Sequence, residues 1–482
     1  MSLRIEDLGP VLKGDPRRVL LRPHLMSGSK QARNLVSRVL AMQESDVDRE
    51  LERMLRGFSQ RHQNFKQFLK DRFEAHRSLL STDLVLSEKR QLLMGACFSS
   101  EYSLEYAALF NPSMVPHPDP SGVSEGELKI ILSLRATGEG HISSITFRTG
   151  RLDRCGQLRI DPPGVQVVEP ALEENPVYQR ELFGRKLYEL GLSTTFTRQV
   201  VQALDEEFTL KQLRYTLGRE RWRRRDLAHD VEEERRVDDK ILALALSNYE
   251  VNFPEERDLS ERAIFPVTPS QRNGIEDARF VRFEDGTYYA TYTAYDGRLI
   301  LPQLLETRDF THFKFITLNG PAVRNKGMAL FPRKIGGLYA TLGRQDGEAM
   351  HLMLSDNIHF WYESRVILRP RHAWEMVQLG NCGSPIETEA GWLVLTHGVG
   401  PMREYSIGAV LLDREDPCRV LGRLRRPLLQ PLESERHGYV PNVVYSCGAL
   451  VHQGWLIVPY GVCDSFTRFA RVRLDRLLNA MT

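Results

Sequence analysis

The chain has 482 residues, a hydrophobic fraction of 41% and a formal net charge of +2 from 65 basic and 63 acidic side chains. This length leaves room for a sizeable core and for more than one domain. The balanced charge argues against a dedicated nucleic-acid surface, which usually shows a strong basic excess. No run of about 18 apolar residues is present, so we predict no membrane span.

Targeting and redox features point to the cytoplasm. The N-terminus Met1–Asp7 lacks the apolar region of a signal peptide. The six cysteines are scattered without a CxxC pair, so we predict free, buried thiols in a reducing compartment. There is no HExxH motif and no cluster of histidines and cysteines, and we therefore predict no metal site.

The first part of the chain is predicted to be an N-terminal helical module, residues 1–95. Apolar residues recur there at spacings of three and four, as in Leu51, Met54, Leu55 and Phe58. Proline is absent from 24 to 111. Strands follow to about residue 160, where Ile142–Arg148 alternates with period two.

A helical insertion is predicted at about 168–250. It contains the basic run Arg219–Arg225, which taken alone suggests RNA binding. The acidic residues Glu232–Glu234 follow within a few positions, and this mixture favours a solvated, salt-bridged helix face instead.

Five stretches share one pattern: a turn, a short apolar strand, then a polar residue. They are 126–135, 285–295, 336–344, 391–397 and 454–460. The later turns, at 285, 336, 390 and 453, are 51, 54 and 63 residues apart, whereas 126 and 285 are 159 apart. A period near 50 residues is typical of propeller blades, and the insertion accounts for the long gap.

The pattern predicts a mainly β fold: a five-bladed β-propeller over residues 96–482, interrupted by the insertion. A propeller collects equivalent strand ends around one axis. The strand-end residues Arg135, Tyr295, Arg344, His397 and Tyr460 would then face a single pocket.

The polar residues near these strand ends suggest a chemistry. They comprise the carboxylates Glu276, Asp277, Asp296 and Asp464, the cations Arg135, Arg279, Lys326 and Arg344, and also His397, Tyr295, Tyr405 and Tyr460. Carboxylates and aromatic rings suit sugars, and a carboxylic acid can protonate a glycosidic oxygen. Several cations suit an anion such as phosphate. Taken together, these residues predict cleavage of a glycosidic bond with phosphate as the acceptor.

Some of these residues, taken singly, also have purely structural interpretations. Glu276 and Asp277 are adjacent, so in a regular strand they face opposite ways, and they could simply form a turn or salt-bridge pair. His397, at the end of an apolar strand, could be structural.

An ordered set of segments resembles glycoside hydrolase family 130, which includes β-mannoside phosphorylases and β-mannosidases. The segments are Phe110–Pro112, Gly274–Arg279, Asn325–Pro332, Trp392–Gly398, Tyr405–Asp413, Tyr439–Tyr445 and Tyr460–Asp464. The resemblance covers about 97–160 and 265–475. It implies a five-bladed propeller that cleaves β-mannosides with inversion.

The resemblance also implies residue roles. Asp277 matches the catalytic acid, which in the phosphorylases is thought to act through a mannose hydroxyl. The predicted substrate-binding residues are Asn111, Arg135, Glu276, Arg279, Tyr295, Asp296 and Asp464. The predicted phosphate-binding residues are Lys326, Arg344, His397 and Tyr405. The products would be α-mannose 1-phosphate and the released acceptor sugar.

Departures from the family pattern keep alternatives open. Ala278 replaces the signature proline, and Ser406 stands where the family has an arginine, so one cation is missing. Retention of Lys326, Arg344 and His397 favours phosphorolysis over hydrolysis by an inverting β-mannosidase. A non-catalytic sugar-binding or scaffold propeller is the third alternative.

The expected partners are a β-mannoside disaccharide or oligosaccharide and inorganic phosphate as co-substrate, with no other cofactor, no nucleic acid and no membrane. The helical parts lie outside the resemblance. They are candidates for covering the pocket mouth, for selecting the acceptor sugar or for a homo-oligomer contact.

Overall fold

The computed structural model describes residues 3–24, 26, 28–80, 84–173, 176–224 and 231–481. These residues form a mainly β structure in which helices cluster in two stretches of the chain. Part of the charged segment 219–236, residues 225–230, lies outside the described residues. Next to it, the exposed Arg221 forms an ion pair with Asp238 and the exposed Arg223 forms one with Glu220, as expected for a salt-bridged helix face.

The N-terminal part begins with strands and continues with four helices. Its elements are β1 (Ile5–Leu12), β2 (Val19–Pro23), α1 (Ser29–Leu40), α2 (Glu44–Phe58), α3 (Phe65–Ala75), α4 (Glu88–Cys97) and β3 (Ser99–Ser103). The prediction of a helical module over 1–95 was therefore wrong for β1 and β2. Strand β1 has Gly9 and Pro10 and only one buried side chain, Leu8, so no local period marks it.

The helices pack through their apolar stripes and one glycine. A Cβ atom at Gly95 in α4 would lie 1.9 Å from the Leu69 carbonyl oxygen in α3, so the glycine permits this close approach. The Ser87 hydroxyl caps α4 by accepting from the Arg90 amide. The buried Arg90 guanidinium donates to the Met42 carbonyl and to Glu44, which fixes α4 against the α1–α2 connection.

Two antiparallel strand groups come next in the fold. Strand group 1 comprises β4 (Ala108–Pro116), β5 (Leu128–Thr137), β6 (Ser143–Leu152) and β7 (Leu158–Ile160), with β12 (Ala263–Ile264) also pairing with β6. Strand group 2 comprises β13 (Gly274–Arg282), β14 (Tyr288–Tyr295), β15 (Ile300–Thr307) and β16 (His312–Thr317). A single parallel pair, Gly274 with Ser143, joins the two groups.

A helical segment separates these groups in the sequence. Its elements are β8 (Ala171–Leu172), β9 (Val177–Gln179), α5 (Arg180–Glu189), α6 (Thr195–Gln202), β10 (Glu207–Thr209), α7 (Leu210–Arg224), α8 (Val231–Leu246) and β11 (Tyr249–Asn252). It has an apolar core of its own that includes Phe183, Phe208 and Ile241. Strand β11 pairs with β16, so the segment is attached to the edge of strand group 2.

Three further antiparallel groups complete the chain. Strand group 3 comprises β17 (Ala329–Leu330), β18 (Tyr339–Gly343), β19 (Met350–Ser355) and β20 (Arg365–Leu368). Strand group 4 comprises β21 (Gln378–Asn381), β22 (Ile386–Thr388), β23 (Gly391–Val399), β24 (Tyr405–Leu412) and β25 (Val420–Arg423). Strand group 5 comprises β26 (Val444–Tyr445), β27 (Leu450–His452), β28 (Trp455–Val462), β29 (Phe466–Arg473) and the N-terminal β1, and helix α9 (Leu474–Asn479) follows it.

Strand β1 pairs antiparallel with β29, so the two ends of the chain share one sheet. A buried ion triad fixes the segment after β1. The Arg18 Nε atom lies 2.9 Å from Glu105 Oε1, and Arg148 Nη2 lies 2.7 Å from Glu105 Oε2, with the Arg18 and Glu105 side chains fully buried. All five apolar stretches predicted as strands are strands here, namely β5, β14, β18, β23 and β28.

The six cysteines are unpaired, but only Cys382, Cys447 and Cys463 are buried, whereas Cys97 and Cys418 are half-buried and Cys155 is exposed. The prediction of buried thiols was therefore wrong for Cys155, which lies in the turn between β6 and β7. Within the described ranges, no helix combines the length and the apolarity needed to cross a membrane.

Candidate functional site

A polar cavity of about 320 Å³ is lined by residues from all five strand groups. Ten of the twelve predicted site residues line it: Asn111, Arg135, Glu276, Asp277, Arg279, Lys326, Arg344, His397, Tyr405 and Asp464. Two other cavities, of about 360 and 480 Å³, lie against the helical segment and are mainly apolar. The polar cavity is therefore the candidate functional site.

The other two predicted site residues, Tyr295 and Asp296, lie elsewhere, as does Tyr460, which was predicted as a strand-end residue facing the pocket. Tyr460 is buried in the apolar core of strand groups 4 and 5, because β28 continues beyond it to Val462 and the cavity residue is Asp464. The Asp296 carboxylate accepts from the backbone amides of Arg298 and Leu299 and so stabilises a turn. Tyr295 does not line the cavity, although its ring centroid lies 5.5 Å from the Lys326 ammonium.

Irregular backbone brings the central residues together. The pairing of β4 with β5 shifts register after Phe110, and the pairing of β13 with β14 shifts after Glu276. Asn111 and Asp277 lie at these shifts with φ of 47° and 55°. Such bulges change the direction of side chains and are common beside active sites. The expectation that Glu276 and Asp277 face opposite ways was therefore wrong, since both carboxylates contact Arg135.

Asp277 lies at the centre of the cavity's hydrogen bonds. Its Oδ1 atom accepts from Asn111 Nδ2 at 2.9 Å and from Arg135 Nη1 at 3.2 Å. Burial alone raises the pKa of this carboxyl, but the charges of Arg135 and Arg279 and the Asn111 amide hold the pKa below its ordinary value. Asp277 is thus ionised in the ligand-free protein. Among the described residues no donor contacts Oδ2, which leaves that atom to a ligand.

Glu276 neutralises two of the cations. Its Oε1 atom accepts from Arg135 Nη2 at 3.0 Å, and its Oε2 atom accepts from the Lys326 ammonium. Arg135 also donates through Nε to the Ser143 hydroxyl at 2.8 Å. The guanidinium is therefore held in one orientation by three partners.

Tyr445 is a cavity residue that the sequence analysis did not assign. Its hydroxyl accepts from Arg279 Nη2 at 2.7 Å, and Arg279 Nη1 donates to the Asp277 carbonyl oxygen at 3.0 Å. Burial raises the pKa of the Tyr445 hydroxyl well above its ordinary range. The residue ends the segment Tyr439–Tyr445 on which the family resemblance partly rests, and that was the available signal.

His397 is neutral and orients an arginine. Its Nε2 atom accepts from Arg344 Nη1 at 2.9 Å, so its Nδ1–H donates to the Asn381 carbonyl oxygen at 3.2 Å. Burial and then the Arg344 charge lower the pKa of the imidazole well below its ordinary value. Gly380 makes room for the ring, because a Cβ atom there would lie 2.5 Å from His397 Cε1.

A second unassigned cavity residue, Arg403, lies in the turn between β23 and β24. Its guanidinium carbon is 5.9 Å from the centroid of the Tyr405 ring. The Tyr405 ring stacks on His397, with centroids 6.0 Å apart and an interplanar angle of 10°. Ser406 stands where the family has an arginine, and Arg403, three residues earlier in the chain, brings a cation to the cavity from the turn.

Asp464 differs from Asp277 in that the pKa of its carboxyl is raised rather than lowered. It follows β28 and has a φ of 50°. Burial raises its pKa from the ordinary 3.8 to about 6, an increase that Arg135 partly offsets and that the Asp277 charge reinforces. Within the described part of the chain it forms no ion pair closer than 4.0 Å. The cavity thus combines an ionised carboxylate, a carboxyl that titrates near neutrality and several cations.

Metal-type ligands cluster away from this cavity. Glu173, Glu250 and His312 place one ligand atom each within 4.8 Å of one another. His312 Nε2 lies 3.0 Å from Glu250 Oε2, and Lys314 also pairs with Glu250, so the group is already an ion-pair network. The prediction of no metal site stays a prediction.

Comparisons with known proteins agree with the chemistry of the cavity. The model of glycoside hydrolase family 130, described as beta-1,4-mannooligosaccharide phosphorylase, matches residues 235–482, about half of the chain. A 1,2-beta-oligomannan phosphorylase of Thermoanaerobacter sp. (strain X514) is 36% identical over 232 residues, which are 46% of this chain and 75% of that protein.

Two further matches come from Listeria innocua, one in sequence and one in structure. A beta-1,2-mannobiose phosphorylase of serovar 6a (strain ATCC BAA-680 / CLIP 11262) is 32% identical over 230 residues, which are 45% of this chain and 63% of that protein. The solved structure of a beta-1,2-mannobiose phosphorylase in complex with beta-1,2-mannobiose is 24% identical, with a TM-score of 0.47, and covers 79% of this chain and 93% of that one.

Proposed function

The chain belongs to glycoside hydrolase family 130, and from this premise we propose that it is an inverting phosphorylase that cleaves β-mannosides with inorganic phosphate. The observation that carries the proposal is the cavity itself. It combines the Asp277 carboxylate with cations from four strand groups, which suits a sugar together with an anion. The relatives named as β-mannoside phosphorylases support the same activity.

In the proposed reaction a phosphate oxygen attacks the anomeric carbon as the bond to the glycosidic oxygen breaks. Asp277, as general acid, delivers a proton to that oxygen, directly or through a mannose hydroxyl. Asp277 then regains a proton from phosphate. The products are α-mannose 1-phosphate and the acceptor sugar.

The ligand-free carboxylate is ionised, so the acid must gain its proton when the ligands bind. A phosphate dianion in the cavity would offset the cations that now hold the pKa of Asp277 low. Phosphate binding would thereby raise the pKa of Asp277. In this scheme protonation of the acid is coupled to the presence of the co-substrate.

The remaining roles are part of the same proposal. Asn111, Arg135, Glu276 and Asp464 would contact the sugar. Arg279 would orient Asp277, because it donates to that residue's backbone carbonyl. Lys326, Arg344 and Tyr405 would face phosphate, with the neutral His397 holding Arg344 in position.

The architecture we propose is a five-bladed propeller in which each strand group is one blade. It is supported by the antiparallel pairing within each group and by the contribution of every group to one cavity. The proposed division keeps the catalytic domain at 96–482 with an insertion at about 168–250, and adds β1 to the last blade. A cytoplasmic location also stays a proposal.

The test is an assay with and without phosphate. β-1,2-Mannobiose and β-1,4-mannobiose are incubated with the protein, and mannose and mannose 1-phosphate are quantified separately. Mannose 1-phosphate that forms only with phosphate, as the α anomer by NMR, is the expected result. Free mannose at equal rates in both conditions would identify a hydrolase. No turnover and no binding of either sugar would support a scaffold.

A further inference from the structure

We propose that Arg403 is a phosphate-binding residue, which together with Arg344 supplies the two positive charges that a phosphate dianion requires. This inference rests on the proposed phosphorolysis and names a residue for it that lies outside the predicted phosphate-binding set. It follows from the charge balance of the cavity, from the pairing of each cation and from the position of the turn that carries Arg403.

The cavity holds more positive than negative charge. Its cationic side chains are Arg135, Arg279, Lys326, Arg344 and Arg403, and its carboxyl groups are Glu276, Asp277 and Asp464. His397 adds no charge, since its Nε2 atom accepts from Arg344. Five cations and three carboxylates leave a surplus of two positive charges even when every carboxyl is ionised. An anion of charge −2 would balance this surplus.

The hydrogen bonds of each cation show which side chains carry the surplus positive charge. Arg135 and Lys326 pair with carboxylates, and Arg279 contacts a carbonyl oxygen and the Tyr445 hydroxyl. Arg344 donates to the neutral His397, and its buried Nε atom has no acceptor among the described residues. Arg403 forms no ion pair within the described part of the chain. Three cavity arginines, Arg279, Arg344 and Arg403, thus have no hydrogen-bonded carboxylate among the described residues. Both terminal nitrogens of Arg279 are already engaged, by the Asp277 carbonyl oxygen and the Tyr445 hydroxyl, which leaves Arg344 and Arg403 as the arginines placed to meet an anion.

The two arginines belong to one row of contacting side chains. Arg344 contacts His397, His397 stacks on Tyr405, and the Arg403 guanidinium lies 5.9 Å from the Tyr405 ring centroid. The rings between them belong to the neutral His397 and to Tyr405, which carries a hydroxyl group, and neither repels an anion. Guanidinium groups bind phosphate oxygens through paired N–H donors, which makes such a row suitable for phosphate.

Arg403 lies in a turn whose backbone conformation is unfavourable for a residue with a side chain. Met402 and Arg403 both have a φ of 57° in the turn closed by the hydrogen bond from the Glu404 amide to the Pro401 carbonyl. Turns with two positive φ values favour Asn-Gly, because other side chains clash with the backbone there. Glycine at 403 would suit the backbone and remove the cation, so the side chain can be tested without disturbing the fold.

The experiment compares Arg403→Gly with Met402→Gly, which relieves the neighbouring positive φ and keeps the cation. Phosphate KM is measured at saturating β-mannobiose, and mannobiose KM at saturating phosphate. Inorganic phosphate alone is also titrated into each protein by calorimetry. We expect Arg403→Gly to raise the phosphate KM and weaken phosphate binding about 10-fold or more, with mannobiose KM changed less than about twofold. Met402→Gly should behave as the wild type does.

Two results would overturn the inference. One is an unchanged phosphate KM and phosphate affinity in Arg403→Gly. The other is a rise in mannobiose KM alone, which would assign Arg403 to the sugar or to Asp464, whose pKa it lowers. Failure of the proposed function would be seen separately, in the wild type, as turnover that does not depend on phosphate. In that case the calorimetric comparison still decides whether Arg403 binds the anion.

Discussion

Asn111 and Asp277 are joined by a 2.9 Å hydrogen bond from Nδ2 to Oδ1 across 166 residues of sequence. Both residues have positive φ, and both lie at a register shift, Asn111 in β4 and Asp277 in β13. The two bulges therefore face each other across neighbouring strand groups. The bond fixes the carboxylate so that its second oxygen remains available to a ligand.

Replacement of Asp277 by asparagine should abolish general acid catalysis. The amide keeps the size of the side chain but supplies no acidic proton, so we expect kcat to fall by about 10²- to 10⁴-fold with the melting temperature little changed. Initial rates of mannose 1-phosphate formation measure the effect. Asp296→Asn is the matched control, because that carboxylate stabilises a turn outside the cavity. Equal activity of the two variants would remove Asp277 from the mechanism.

Gly380→Ala should displace His397. The new methyl group would lie 2.5 Å from the Cε1 atom of the ring, inside van der Waals contact, so the ring must shift, and we expect this to disturb its hydrogen bond with Arg344. We expect kcat/KM for phosphate to fall by about 10²-fold, as for other misplaced binding groups. Gly57→Ala, at an exposed site with open space around it, is the control. Wild-type kinetics in Gly380→Ala would show that the position of His397 is not needed.

Asp464→Asn should stabilise the fold in a pH-dependent way. Burial raises the pKa of Asp464 to about 6, above its ordinary 3.8, so the ionised carboxylate destabilises the folded state. This destabilisation of the folded state grows as the pH rises from about 4 to 6 and reaches its full size above pH 6. The variant should therefore melt at a higher temperature than the wild type at pH 7 and at the same temperature near pH 3.5. A difference that is constant across this range in scanning fluorimetry would contradict the assignment.

Glu105→Gln should destabilise the protein strongly. The substitution leaves Arg18 and Arg148 buried without their carboxylate, and the loss of one partner from a buried ion pair costs about 3–5 kcal/mol. Urea denaturation followed by fluorescence measures the unfolding midpoint. The matched control is Glu50→Gln, which removes an exposed ion pair with Arg53 and should shift the midpoint little. Equal midpoints would mean that the triad contributes no net stability.

The sequence by itself determined the strands and the kind of chemistry. The apolar stretches of β5, β14, β18, β23 and β28 could be predicted because a turn followed by a short apolar run is a local signal that needs no knowledge of distant partners. The order of the motif segments pointed to the family, and ten of the twelve predicted site residues do line one cavity. What made these predictions possible is that each rests on residues close together in the chain.

Only the tertiary structure decided the inner arrangement of the site and the closure of the last sheet. Asp277 reaches the same guanidinium as Glu276 because a bulge breaks the alternation of the strand, and the partner that holds it there, Asn111, is 166 residues away. Arg403 enters the cavity from a turn, while Tyr460 points into the core. Strand β1 joins β29 from the far end of the chain. The local sequence pattern predicts which face of a regular strand a residue occupies. Bulges, turns and long-range strand pairings instead depend on contacts that form only when the strand groups pack together.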